Sequence, residues 1–216
     1  MKIKKSLFIS VVFLLAFVLW TVLICFVDVG EIGPRESSVG FATLNEFIHN
    51  LTGVNMTLYV VTDWLGLVPV FLCIGFAVFG LIQWIKRRSI LKVDYSILTL
   101  GGFYIIVMAA YILFEMYVIN YRPVLINGYL EASYPSSTTM LVMCVMPTAL
   151  MQFDTRIKNR LLRNSIKAVI IAFTVFMVVA RLISGVHWVT DIIGGALLST
   201  GFVTVYYSVS NFIDKR

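Results

Sequence analysis

The hydrophobic residues of the chain are grouped into long runs that contain no charged residue. Five such runs of about twenty residues are Ser6–Val27, Trp64–Ile85, Tyr95–Phe114, Ala132–Phe153 and Ile192–Ile213. A further run, Ala168–Val186, is apolar except for Arg181 near its end. About twenty apolar residues in a helix cross the roughly 30 Å hydrocarbon core of a bilayer. The pattern therefore predicts an all-α membrane bundle of six transmembrane helices, with residues 1–216 as a single domain.

The composition agrees with a membrane protein and excludes several other classes. Apolar residues make up 60% of the chain and charged residues 13%, against about half and a quarter in soluble domains. A soluble enzyme, a disordered chain and a disulfide scaffold are excluded, because so small a globule cannot bury this much apolar surface. The three cysteines, Cys25, Cys73 and Cys144, lie in apolar runs. We interpret them as buried thiols, which give no information on the redox compartment.

The first run follows the basic sequence Met-Lys-Ile-Lys-Lys and therefore has the general form of a signal peptide. Its apolar stretch is longer than the usual hydrophobic region of such a peptide, and no small-residue cleavage site follows it. We predict that Ser6–Val27 is retained as the first transmembrane helix.

The distribution of basic residues predicts how the helices are oriented. Alternate loops hold 14 of the 17 basic residues, in the N-terminal segment, in 86–92, in 156–167 and at Lys215 and Arg216. The other loops hold Arg35, Arg122 and Arg181 together with eight acidic residues. Under the positive-inside rule, both termini are cytoplasmic in a cell membrane and the sparsely basic loops face outward. The net charge of +6 is then explained by topology and contact with anionic membrane lipids, and we expect no nucleic-acid partner.

The first outward segment, residues 28–56, is long for a loop without structure. Its apolar residues Phe41, Leu44, Phe47, Ile48 and Leu51 recur at helical spacing. This spacing predicts a short helix, which either lies on the membrane surface or packs as a lid without contacting substrate.

Ionisable residues cluster near the outward ends of the third to sixth helices. Placing them near the membrane core is energetically costly, so they are candidate functional residues. His187 and Asp191 are four positions apart, so on a helix they would share one face and the carboxylate would orient the imidazole. Arg181 and Arg122 each offer a guanidinium fork for a phosphate-like anion. The hydroxyls and free backbone N–H groups of Ser136, Ser137 and Thr138, at the start of the fourth helix, are also suited to hold an anion.

This arrangement resembles the type 2 phosphatidic acid phosphatase superfamily, which shares its phosphate site with vanadium haloperoxidases. The family's third block is Ser-Arg, five residues, His, three residues, Asp, and it corresponds to Ala180-Arg181 through His187 to Asp191. The second block, Pro-Ser-Gly-His, corresponds to Pro135-Ser136-Ser137-Thr138. The first, Lys, six residues, Arg-Pro, corresponds to Glu115 and Arg122-Pro123. The third block is intact except for Ala180, and the other two are degenerate.

The resemblance implies a metal-free and cofactor-free hydrolase that acts on a lipid phosphate. His187 would be the nucleophile that forms a phosphohistidine intermediate, and Asp191 would orient it. Arg122 and Arg181 would bind the phosphoryl oxygens, assisted by Ser136 and the neighbouring amides of Ser137 and Thr138.

Thr138 occupies the position at which family members have the histidine that protonates the leaving group. A hydroxyl is far too weak an acid for this role, and general acid catalysis contributes typically about 10²–10⁴-fold. A phosphate leaving group, with a pKa of about 6, departs more easily without a proton than an alkoxide does. We therefore predict that a lipid diphosphate such as a polyprenyl diphosphate is preferred over a lipid monophosphate.

Glu115 replaces a phosphate-binding lysine of the family and allows two interpretations. It lies seven residues before Arg122 and would pair with that arginine if the helix continued for two turns. Alternatively, a protonated Glu115 or Glu131 beside an anionic substrate would replace the missing acid.

Other functions also remain open at this stage. Arg181 can be a snorkelling residue and His187–Asp191 a packing pair at the membrane interface. The chain can also be a catalytically silent relative that binds or transports phospholipid. A redox protein is disfavoured, because His49 and His187 are the only histidines and provide no four-ligand set. The sequence gives no oligomeric state.

Overall fold

The computed structural model describes residues 2–213, with side chains over 4–212. Within these residues the fold consists of eight α-helices and one antiparallel hairpin. The helices are α1 (Lys2–Phe26), α2 (Ala42–Thr52), α3 (Met56–Leu65), α4 (Leu67–Arg87), α5 (Tyr95–Met116), α6 (Ser137–Arg156), α7 (Arg160–Ile183) and α8 (Val189–Ile213); the strands are β1 (Gly30–Gly33) and β2 (Ser37–Val39). Lys215 and Arg216, which contribute to the charge pattern, lie outside the described residues.

Among the described residues, five helical segments are long and apolar enough to cross a membrane. They are α1, α3 together with α4, α5, α7 and α8. Large apolar side chains on these helices face outward, including Phe8, Phe71 and Ile105. Contiguous apolar surface of this extent needs a lipid environment. The chain therefore has the fold of a helical, multi-pass membrane protein.

Helix α6 lies at the centre of the bundle, in contact with α4, α5, α7 and α8. It begins at Ser137, five residues later than the predicted span Ala132–Phe153, because the preceding residues belong to a loop. Inside the bundle Thr148 Oγ1 lies 3.2 Å from the hydroxyl of Tyr104, and Gln152 Nε2 donates to the hydroxyl of Tyr206 over 2.6 Å. Neighbouring helices cover α6, so it tolerates polar residues, and it is not one of the five most apolar segments. A sixth crossing remains a prediction.

The two ends of the bundle differ in charge. At one end α5 and α7 finish and α6 and α8 begin, joined by the loop 117–136 and the turn 184–188. At the opposite end the basic connections 88–94 and 157–159 lie together. There Asp94 pairs with Arg87 at 2.9 Å and with Arg156 at 3.8 Å. The candidate chemistry and the basic loops are thus separated by the length of the helices.

Helix α2 occupies the part of residues 28–56 for which helical spacing predicted a helix. Asn45 faces inward, donating to the carbonyl of Gly40 over 2.8 Å and to Thr190 Oγ1 over 3.0 Å. The apolar side chains of Phe47 and Leu51 are exposed. A polar contact therefore attaches α2 to the first turn of α8, while its apolar residues face outward at the end of the bundle that holds the loop 117–136.

Candidate active site

A cavity of about 680 Å³ lies at the end of the bundle formed by the loop 117–136. Residues from α3, α5, α6, α7 and this loop line it. The lining includes two arginines and three carboxylates: Arg122, Arg181, Asp63, Glu115 and Glu131. Two cationic forks in one concave site fit the binding of an anionic group.

His187 and Asp191 lie beside this cavity, and both are almost completely buried. His187 Nδ1 is 3.6 Å from Asp191 Oδ2. The carboxylate also accepts hydrogen bonds from the backbone N–H of Trp188 over 2.9 Å and from Asn120 Nδ2 over 3.3 Å. Asp191 therefore has a fixed position from which it can orient the imidazole.

The reason for this proximity differs from the one the sequence suggested. His187 is not on a helix, because α8 begins only at Val189. Asp191 is the third residue of α8, and its side chain reaches back to the N–H of the residue that precedes the helix, as the third residue of a capping box does. The two side chains meet across a helix start rather than along one helical face.

The turn before His187 requires glycine at position 185. Gly185 has a φ of +66°, and a Cβ atom there would lie 1.8 Å from the carbonyl oxygen of Gly53. The carbonyl of Ser184, the residue before Gly185, accepts a hydrogen bond from the N–H of Asn55 over 2.9 Å. The segment before α3 is therefore packed directly against the turn that joins Arg181 to His187.

Arg122 connects His187 to the loop. Its Nη1 lies 3.1 Å from His187 Nε2, and its Nε lies 3.0 Å from Glu131 Oε2. Glu115 is not the partner of Arg122, because α5 ends at Met116 and the two-turn spacing from Glu115 does not apply. The ion pair is made instead by Glu131, whose backbone carbonyl also accepts from the N–H of Arg122.

Arg181 is held by α3, an element outside all three sequence blocks. Its Nη1 donates to Thr62 Oγ1 over 3.1 Å, and its Nη2 lies 3.6 Å from Asp63 Oδ1. Its guanidinium also lies over the ring of Tyr59, 4.7 Å from the centroid, and that of Arg122 is 5.9 Å from the same ring. The buried Nε of Arg181 has no hydrogen-bond acceptor among the described residues. This guanidinium therefore retains a free donor.

The start of α6 supplies the remaining wall of the cavity. Ser137 and Thr138 line the cavity, whereas Ser136 is buried beneath it as the N-cap of the helix. The Ser136 side chain accepts from the N–H of Thr139, and its own N–H donates to the carbonyl of Asp191 over 3.1 Å. This bond joins the first turn of α6 to the first turn of α8.

The pKa of His187 is lowered well below its ordinary value of 6.5. Burial is the main cause, since it disfavours the charged imidazolium, and the positive charges of Arg122 and Arg181 act in the same direction. A guanidinium only donates hydrogen bonds, so the Arg122 contact identifies Nε2 as the nitrogen with the lone pair. The neutral imidazole thus carries its proton on Nδ1, towards Asp191.

Comparison with known proteins supports the same family as the sequence blocks. Residues 118–214 match the model of the PAP2 superfamily. The matched region belongs to the PAP2 superfamily. A solved structure, the transmembrane PAP2-type phosphatidylglycerolphosphate phosphatase from Bacillus subtilis, matches with a TM-score of 0.61 and 18% identity. The match covers 95% of this chain and 96% of that chain. No curated protein matches the chain significantly.

The structure brings together the candidate site residues that were predicted from the sequence. Six of them line the cavity: Glu115, Arg122, Glu131, Ser137, Thr138 and Arg181. His187 is in contact with Arg122, and Asp191 and Ser136 lie behind the cavity wall. Residues that are distant in the sequence therefore form one site.

The contribution of α3, which lies outside the PAP2 match, was not predicted from the sequence. Tyr59, Thr62 and Asp63 contact the arginines, and Asn120 holds Asp191. Asp63 was detectable, because it is the one charged residue of the apolar helix Met56–Leu65. An ionisable residue in such a segment is a candidate functional residue, as Arg181 is, because a charge at membrane depth is energetically costly.

The carboxylates of the site do not form a metal centre in this structure. Among the described residues, no group of three or more His, Cys, Asp or Glu side chains is arranged to hold a metal ion. Two of the cavity's carboxylates pair with arginines instead.

Proposed function

We propose that the chain is an integral membrane lipid phosphatase that hydrolyses a lipid phosphate at the extracytoplasmic face. The PAP2 match and the fold shared with a transmembrane phosphatase support lipid phosphatase activity in general. The observation that carries the proposal is the contact between Arg122 and His187 at the wall of a cavity that also contains Arg181. Two cations and an unprotonated imidazole are the groups that a transfer of phosphate to nitrogen requires.

In the first step the phosphoryl oxygens bind the guanidinium groups of Arg122 and Arg181 and the N–H groups at the start of α6. Arg122 Nη1 leaves His187 Nε2, whose lone pair forms the bond to phosphorus as the bond to the leaving oxygen breaks. The Asp191 carboxylate, whose Oδ2 lies 3.6 Å from Nδ1, stabilises the positive charge that the ring acquires. In the second step water attacks phosphorus, and the electron pair of the P–N bond returns to Nε2.

We propose that the preferred substrate is a polyprenyl diphosphate, such as undecaprenyl diphosphate. Thr138 lines the cavity where a general acid would be needed. An alkoxide leaving group has a basicity close to that of hydroxide, whose conjugate acid has a pKa of about 15.7. A phosphate leaving group has a relevant pKa of about 6. The absence of histidine at position 138 therefore disadvantages monoester cleavage more than diphosphate cleavage.

Two apolar cavities next to the polar cavity provide room for the lipid tail. The first, of about 400 Å³, shares Asp63, Tyr111, Ser137 and Thr138 with the polar cavity. The second, of about 530 Å³, shares Cys73 and Tyr104 with the first and continues between α4 and α5. Binding of a long hydrocarbon chain along this route would hold the phosphate in the site without any contact to the reacting atoms.

The proposal is tested by measuring phosphate release from polyprenyl diphosphate and phosphatidate side by side, with purified protein in detergent. We expect the wild type to prefer the diphosphate and His187→Ala to lose about 10⁴-fold or more in turnover on both substrates. The matched control is His49→Ala, which removes the only other histidine. Quenching during turnover should trap an acid-labile phosphate on the wild type and not on His187→Ala.

A second variant tests the substrate preference separately. Thr138→His should raise phosphatidate turnover by about 10²-fold, because it places an imidazole that can protonate an alkoxide at the position of the family's general acid. A wild-type preference for phosphatidate would contradict the proposed substrate. Unchanged turnover in His187→Ala would contradict the nucleophile. An inactive wild type that still binds lipid phosphate would favour the silent relative.

A further inference from the structure

The junction between the polar and apolar cavities fixes the part of the site in which the scissile bond must lie. A lipid phosphate with its phosphoryl group on the arginines and its tail in the apolar cavity has its bridging oxygen between the two. Only residues that line both cavities border this junction: Asp63, Tyr111, Ser137 and Thr138. This step rests on the proposed function of the site.

Asp63 is the carboxylate at this junction. Its side chain is 62% exposed, and its Oδ1 lies 3.6 Å from Arg181 Nη2. Glu115 and Glu131 line the polar cavity and do not line the apolar one. Of the three carboxylates, only Asp63 therefore borders both the phosphate-binding arginine and the entrance to the tail cavity.

We propose that Asp63 is the catalytic acid for cleavage of lipid phosphate monoesters, in place of the absent histidine at position 138. Asp63 lies on α3, outside the region that matches the PAP2 superfamily. Asp63 and Thr138 lie on different helices but line the same two cavities. Asp63 would thus take the role of the missing histidine from a different position in the sequence.

The proton movements balance over the two steps. Substrate phosphate takes the place of the Asp63 side chain at Arg181, and the proton that Asp63 donates comes from the surrounding water, to which its side chain is exposed. When the bond between phosphorus and the bridging oxygen breaks, its electron pair stays on that oxygen, which receives the Asp63 proton and leaves as a lipid alcohol. The Asp63 carboxylate then accepts a proton from the water that attacks the phosphohistidine.

The test compares Asp63→Asn with wild type on phosphatidate and on polyprenyl diphosphate. Asparagine keeps the shape of the side chain and cannot supply the proton. We expect phosphatidate kcat to fall about 10²-fold and diphosphate kcat to fall far less, because a phosphate leaving group needs less assistance. The ratio of the two kcat values should therefore fall at least tenfold. Asp63→Glu should restore part of the phosphatidate activity.

Two control variants separate catalysis from support of Arg181. Thr62→Val removes the 3.1 Å contact to Arg181 and keeps the carboxylate, so it should lower both activities by similar factors. Glu115→Gln removes a carboxylate that does not line the apolar cavity and should keep the ratio within about twofold of wild type. Equal losses on both substrates in Asp63→Asn would overturn the proposal. That result is distinct from failure of the proposed function, which appears as activity in His187→Ala.

Discussion

At the scale of single residues, the contact between Arg122 and His187 helps to keep the proposed nucleophile neutral before substrate binds. The guanidinium donates to Nε2 and, with burial and Arg181, disfavours protonation of the ring. The same contact covers the reactive lone pair. In the proposed mechanism, phosphate therefore draws Arg122 away from the imidazole, and the group that keeps His187 neutral would become a ligand of the phosphoryl oxygens.

The lowered pKa of His187 predicts a specific titration. The neutral ring should persist below the ordinary value of 6.5 and become protonated only at more acidic pH. In His49→Ala protein, His187 is the single histidine, so ¹⁵N NMR reports it without overlap. We expect the neutral form with its proton on Nδ1 still to dominate at pH 6.5, the ordinary pKa of a histidine.

Arg122→Gln provides the control for this titration. Removing the positive charge should raise the His187 pKa, because one source of repulsion is lost. A wild-type ring that protonates at or above pH 6.5, or a pKa that falls in Arg122→Gln, would contradict the electrostatic explanation.

At the scale of elements, the site depends on helix ends being tied to one another. The start of α6 is bonded to the start of α8 through Ser136 and Asp191, and α3 holds Arg181 at the end of α7. Helices α4 and α5 enclose the apolar route, where Gly101 and Gly102 leave open space. In the proposed function, the ends of the helices thus provide the reacting groups, and the sides of α4 and α5 provide the room for a lipid tail.

A bulky residue in this route should discriminate between substrates by tail length. Gly101 lies ten residues before Tyr111 on α5, roughly 15 Å along the helix. Gly101→Trp should therefore lower kcat/KM about tenfold for a long polyprenyl diphosphate, while a ten-carbon prenyl diphosphate should be affected much less. Steady-state kinetics on the two substrates measure the difference.

Gly75→Trp is the matched control. A Cβ atom at Gly75 also meets open space, but this residue of α4 lines neither apolar cavity. Equal effects of the two tryptophans, or equal effects on both tail lengths, would argue against a tail in this route.

At the scale of the whole molecule, the basic loops and the candidate site lie at opposite ends of the helices. Under the positive-inside rule this separation predicts that the site faces outward. The orientation matters for function, because it determines which leaflet presents the substrate head group to the cavity.

Cysteine labelling in intact cells tests this orientation. In a variant lacking Cys25, Cys73 and Cys144, new cysteines at Tyr129 and Leu161 would mark the two ends, since both positions are exposed. A membrane-impermeant maleimide should label Tyr129→Cys in intact cells and Leu161→Cys only after permeabilisation. The reverse pattern would show that the site faces the cytoplasm.

Several features could be predicted from the sequence because they depend on local composition. The apolar runs predicted a helical membrane bundle, and the spacing of Arg181, His187 and Asp191 predicted the PAP2 family, which the comparisons confirmed. The spacing also selected residues that converge on one cavity. Hydropathy and motif spacing can be read along a single segment, so they do not require knowledge of how segments pack.

Only the tertiary structure decided which residues from distant segments meet. It paired Arg122 with Glu131 rather than Glu115, because α5 ends before the loop that holds the arginine. It brought Tyr59 and Asp63 of α3 to Arg181, across more than a hundred residues of chain. Contacts of this kind arise from the packing of whole helices, which no local pattern encodes. The sequence therefore determined the membrane class and the candidate reactive groups, and the packing decided which carboxylate lies beside each of them.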